Sequence, residues 1–123
     1  MQIYTSYFGK LDRLPKNIVP ISICGKAPDW YTGLQFKKLA PKYEFFKQWE
    51  QTHNNEFYIK CYNEQVLQPL NVNEIVKELT ELGQGNDIAL ICYEKPTEFC
   101  HRHLVATWLR NNCYSINEYI ELD

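Results

Sequence analysis

The run DIALICY, residues 87–93, constrains the fold of this chain more than any other stretch. From Ile88 to Cys92 it is apolar without alternation. A strand with one wet face alternates apolar and polar residues. A strand apolar on both faces must be covered on both, which is the usual position in a parallel sheet. Helical patterns flank the run at 71–85 and 97–112, and parallel strands need such crossovers.

The rest of the chain supports that frame. QIYTSYF (2–8) and IVPISI (18–23) read as strands rich in β-branched and aromatic residues. Pro20 cannot donate to a ladder, so its strand is expected at an edge or with a bulge there. GKLDRLPKN (9–17) is a polar turn region and CGKAPDWYTG (24–33) a loop. GLQFKKLAP (33–41) fits neither period cleanly. Pro41 suits a first helical position, followed by KYEFFKQWEQTH (42–53) with Phe45, Phe46 and Trp49 on one face. In 55–69, Phe57, Tyr58, Cys61, Tyr62 and Val66 follow helical spacing, while Glu56, Lys60 and Glu64 share the other face. Asn55 is the expected cap and Pro69 the stop. Asn71 or Asn73 caps the helix at 71–85, and Gly83 suits its end. YSINEYIEL (114–122) contains a last strand. The expected order is β-β-α-α-α-β-α-β: a three-layer-like α/β fold with a largely parallel sheet, in one domain over 1–123.

Bulk properties exclude several functions. Net charge is −2, without the basic footprint of a dedicated nucleic-acid binder. No apolar stretch approaches the roughly 18–20 residues that span a membrane. The five cysteines are odd in number, and MQIYTSYFGK lacks the pattern of a signal peptide. A cytoplasmic protein with reduced thiols is expected.

CYEKPTEFCHRH (92–103) holds the densest chemistry. It joins the end of the buried strand to the start of a helix, where α/β folds collect ligands. Thr97 is the expected cap, which puts Cys100, His101 and Arg102 in the first helical turn. Backbone N–H groups there favour an anion, and Arg102 can clamp one. A helix dipole with His101 and Arg102 nearby would favour a thiolate at Cys100; simple packing against Leu104 and Trp108 is the alternative. Glu94, just past the strand, is a candidate proton-transfer group, with a solvated turn pair to Lys95 as its alternative. The spacing from Cys92 to Arg102 and the lack of Gly exclude the Cys-dependent phosphatase and rhodanese loops. A metal held by Cys92, Cys100, His101 and His103 is a third reading, though no CxxC occurs. Tyr4 and Ser6 are expected near the same crevice, as are Lys26 for an anion and Trp30 with Tyr31 for stacking or loop anchoring.

The segment IALICYEKPTEFCHRHLVATWL resembles the hallmark of the bacterial and phage family called domain of unknown function 488. There a buried strand ends in Cys and Glu, and Cys-His-Arg opens a helix; here these are Cys92, Glu94, Cys100, His101 and Arg102. IYTSYFGKL is similar to the family's start, and IVPISICGKAPDWYTGLQFKKLAPKY resembles one of its small subgroups. Many members carry Asp-x-Arg after the second strand. This chain has Ser22 to Lys26 there, leaving Lys26 as the only cation. The resemblance implies an α/β fold with a shared site. With the residues, it leads us to expect an enzyme, or an enzyme-derived domain, that binds a small anion such as a nucleotide, modified base or phosphate-bearing ligand. Catalytic candidates are Glu94, Cys100 and His101; ligand candidates are Arg102, Lys26, Tyr4, Ser6, Trp30 and Cys92. A non-catalytic binding module is the rival, and neither reading specifies a cofactor.

Overall fold

The computed structural model describes residues 1–93 and 99–118. The DIALICY run forms the central strand, β4 (Asp87–Cys92). It lies between β1 (Ile3–Tyr7) and β2 (Ile18–Ser22), parallel to both. Two short strands complete the sheet, β3 (Leu34–Gln35) beside β2 and β5 (Ile116–Glu118) beside β1. The order is β3-β2-β4-β1-β5, and every pairing is parallel.

Handedness follows from that order. The connections β3 to β4 and β4 to β5 step the same way across the sheet, whereas β1 to β2 and β2 to β3 step the other way. Right-handed crossovers therefore put the two groups on opposite faces. On one face lie α1 (Tyr43–Thr52), α2 (Asn55–Tyr62), α3 (Val72–Leu82) and α4 (His101–Asn111). Their Phe45, Tyr58, Tyr62, Leu79, Val105 and Leu109 pack on Ile3, Ile21, Ile88 and Leu90. The opposite face, with Ala89 and Ile91, is covered by Phe8 and Tyr31. Those two residues belong to a 3-10 turn (Phe8–Arg13) and the loop after β2, so among the described residues the third layer is not α-helical.

Local chemistry explains the boundaries. Asn71 accepts from Glu74 N and caps α3, which ends at Gly83. Asn54, one residue before the expected cap, accepts from Phe57 N and starts α2. A π turn (Asn63–Leu67) carries the chain from α2 toward Pro69. Pro41 lies outside α1, whose cap is Lys42. Residues 33–41 supply β3 and a 3-10 turn (Lys37–Leu39).

Pro20 corrects one expectation: its strand is not at the edge of the sheet. β3 pairs only with Ile21 and Ser22, so β2 has no strand on that side at Pro20. The Pro20 carbonyl receives the Tyr31 hydroxyl instead. The missing N–H faces the same side as that carbonyl, where no ladder asks for it.

The last helix also starts later than expected. Cys100 has extended backbone and α4 begins at His101, so residues 99 and 100 are not helical. Thr97 lies outside the described residues. The bond of Cys100 to Cys92 and the hydrogen bond of His101 to Ile23 O hold the chain at this point. Among the described residues no helix is long and apolar enough to cross a membrane.

Leu90 is wholly buried in the central strand. Leu90→Ala should cost about 2–5 kcal/mol in urea unfolding. Leu34→Ala, on the exposed edge strand, should cost far less. Similar losses at both positions would contradict this account of the core.

Candidate functional site

β2 and β4 are neighbours, but the described segments that follow them, the Tyr31 loop and α4, lie on opposite faces. In chain order the Tyr31 loop follows β2 and α4 follows β4. Such divergence opens a crevice at the carboxyl ends of parallel strands. Here it is a cavity of about 540 Å3. Cys24, Gly25 and Lys26 line it from the end of β2, Cys92 and Tyr93 from the end of β4, and Cys100 and His101 from the start of α4. The opposite wall is largely aromatic: Tyr43, Phe46, Trp49, Tyr58 and Phe99, with Pro41 and Glu50. Trp49 and Tyr58 each lie within 6 Å of Phe99 and of each other, ring centre to ring centre.

The floor is built around His101. Its ring is buried, and Nε2 lies 2.7 Å from the Ile23 carbonyl oxygen. A carbonyl only accepts, so Nε2 carries the hydrogen. The remaining lone pair is on Nδ1, which sits 3.5 Å from Cys92 Sγ and 4.0 Å from Cys100 Sγ. Ile23 is itself fixed, since its N–H donates to Ile91 O in β4. The tautomer and the ring plane are thus set by backbone.

Burial lowers the pKa of His101 to about 4; the Ile23 hydrogen bond opposes the fall and the Arg102 charge adds to it. At neutral pH the ring is uncharged. A base this weak draws a proton poorly from a thiol near pKa 8.5. Its useful feature is a fixed lone pair.

Cys92 and Cys100 are bonded through their sulfurs, and their Cα atoms are 7.2 Å apart. Free thiols are thus not found at these two positions, although Cys61 and Cys113 are free. Proximity explains the difference: the strand end and the helix start place both sulfurs beside one imidazole. Cys100 belongs to the buried cluster that includes Phe8, Ile91 and Cys92, whereas Leu104 and Trp108 pack on the other one.

The other expected site residues divide. Lys26 is on the cavity wall. Arg102 is wholly buried, 5.9 Å from the centre of the Tyr7 ring, and does not line the cavity. Ser6 is also buried behind the crevice, and Tyr4 packs partly buried on the opposite face. Neither touches the cavity. Trp30 is 60% exposed and stands edge-on to Phe8, outside the cavity, whereas Tyr31 anchors its loop through Leu34 O. His103 is outside the compact Cys92, Cys100 and His101 group. Glu94 lies outside the described residues.

The aromatic wall was not anticipated as part of a site. Its signal was the density of Tyr, Phe and Trp in 43–58, which serves core packing equally well. The family model described as the active DUF488-N3 subclade matches residues 10–113. The chain belongs to that family. No curated protein and no solved structure matches it. The match confirms the family resemblance drawn from the Cys-His-Arg segment.

The buried neutral imidazole gives a pH dependence. Above about pH 6.5, His101 is uncharged in folded and unfolded chains alike. As pH falls below that value, the unfolded chain takes a proton that the folded chain refuses down to about 4. Stability should therefore drop between about 6.5 and 4, by on the order of 3 kcal/mol, and this contribution should level off below. Urea unfolding in chelator, compared between wild type and His101→Gln, isolates it. Identical pH slopes in the two proteins would contradict the assignment.

Proposed function

We propose that this protein is a small-molecule enzyme that binds a planar, anionic substrate of the nucleotide or modified-base class. The observation that carries the reading is the cavity itself, with aromatic walls ending on the buried group of Cys92, Cys100 and His101. Its volume lies within the roughly 300–1,000 Å3 common for small-molecule sites. Aromatic side chains favour a ring that can stack, with each stacked base worth about 1–3 kcal/mol. The substrate ring lies against Trp49 and Phe99, and Lys26 meets the anionic group. Arg102 acts at a remove, through its charge beside His101. The reacting atom faces the two sulfurs and Nδ1.

The three chemically capable side chains at the end of the cavity support an enzyme over a silent binding module. The module reading draws on a different observation: the cavity wall is mostly apolar, which suits binding without turnover. Turnover assays on whatever ligand binds separate the two.

Binding is readable by tryptophan fluorescence, because Trp49 lines the cavity while Trp30 does not. Nucleoside monophosphates and the free bases should quench it saturably. Lys26→Ala should weaken the monophosphates about tenfold, equivalent to about 1.4 kcal/mol, and leave free bases unchanged. Phe99→Ala, which keeps the Trp49 reporter, should weaken both. An absence of saturable binding by every member of the panel would overturn the reading.

A further inference from the structure

We propose that Cys92, Cys100 and His101 form a mononuclear metal centre, with Zn2+ the ion best suited to its donors and an open coordination position facing the cavity. This goes beyond the ligand reading and does not rest on it.

Three observations converge. The first is proximity: Cys92 Sγ, Cys100 Sγ and a His101 ring nitrogen all lie within 4.8 Å of one another. A tetrahedral ion with bonds of about 2.0 Å to nitrogen and 2.3 Å to sulfur sets its ligands roughly 3.5 Å apart. The distances of 3.5 and 4.0 Å from Nδ1 to the two sulfurs already match that spacing.

The second is orientation. The Ile23 carbonyl holds the hydrogen on Nε2, so Nδ1 presents its lone pair to the sulfurs. Histidine ligands commonly donate their other N–H to a carbonyl in this way, which fixes the ring and strengthens the ligand. The same contact gives His101 a reason to be buried without charge.

The third is access. All three residues line the cavity, so a fourth position points into it. Three protein ligands with one open position describe catalytic zinc sites, whereas structural sites are closed by four. Two soft thiolates and one imidazole favour zinc over magnesium or calcium.

The backbone also has room for the ion. The Cα atoms of Cys92 and Cys100 are 7.2 Å apart, beyond the roughly 4.4–6.8 Å that disulfides usually span. Two thiolates sharing an ion stand further apart than two bonded sulfurs. Loading requires the reduced pair. A dithiol reductant supplies two electrons and two protons, breaks the sulfur–sulfur bond, and leaves as its own disulfide. Two thiols remain. The ion then displaces both protons to solvent as the sulfurs bind.

The test uses the full chain without a histidine tag, purified anaerobically in reductant. Metal analysis should find one zinc per chain. Zinc-edge X-ray absorption should show two sulfur ligands and an imidazole. Cobalt added to the stripped, reduced protein should give sulfur-to-metal charge-transfer bands and the visible bands of a tetrahedral ion. Cys100→Ser should lose most of the charge transfer and at least ~100-fold in affinity, while Cys113→Ser should match wild type. Circular dichroism checks that each variant folds, and the absorption spectrum of the wild type needs no variant. No cobalt bands in reduced wild type, or a ligand shell without sulfur, overturns the centre. Cobalt binding without nucleotide binding keeps this proposal and removes the ligand reading; the reverse result removes the metal alone.

Discussion

The hydrogen bond from His101 to the Ile23 carbonyl joins the fold to its chemistry. Ile23 follows β2, donates its N–H to Ile91 of β4, and accepts from the first residue of α4. One residue thus binds two strands and a helix at the same corner. A buried carbonyl needs a donor, and a buried imidazole needs an acceptor. Each satisfies the other. The consequence is a ring that cannot turn and a lone pair whose direction is set by the sheet.

The central strand makes this corner possible. β4 is paired along its length on both sides and covered on both faces, so Cys92 emerges from a rigid element. Sites on strand ends are more precise than sites on loops. The divergence of the chain after β2 and β4 then leaves space above, and α1 and α2 bring their aromatic rings over it. Fold and cavity are consequences of one topology: helices on one face, and a 3-10 turn and loop on the other.

Much of this was legible in the sequence. DIALICY stated its burial directly, because no alternation was present to give one face to water. Asn71 and Gly83 bracketed α3 through capping chemistry that needs no tertiary context. Cys100, His101 and Arg102 stood out by type and position, and the first two line the cavity. Their individual roles were hidden. Arg102 was expected to reach an anion, and only the packing of α4 against the sheet shows it buried near Tyr7. The helix start was read from local capping chemistry alone, whereas α4 begins at His101, beside long-range contacts of Cys100 and His101 that spacing does not show. The aromatic wall was hidden for another reason. Phe46, Trp49 and Tyr58 have the spacing of a core-facing stripe, and spacing does not say whether a stripe is covered or borders a cavity.

The geometry of the crevice depends most on the state of one ring. Nitrogen-15 NMR of the ring-labelled, reduced protein at pH 7 reads it directly. His101 should show a protonated Nε2 coupled to its hydrogen and an unprotonated Nδ1, with or without zinc. A hydrogen on Nδ1, or a doubly protonated ring at that pH, would contradict the arrangement from which the site has been built.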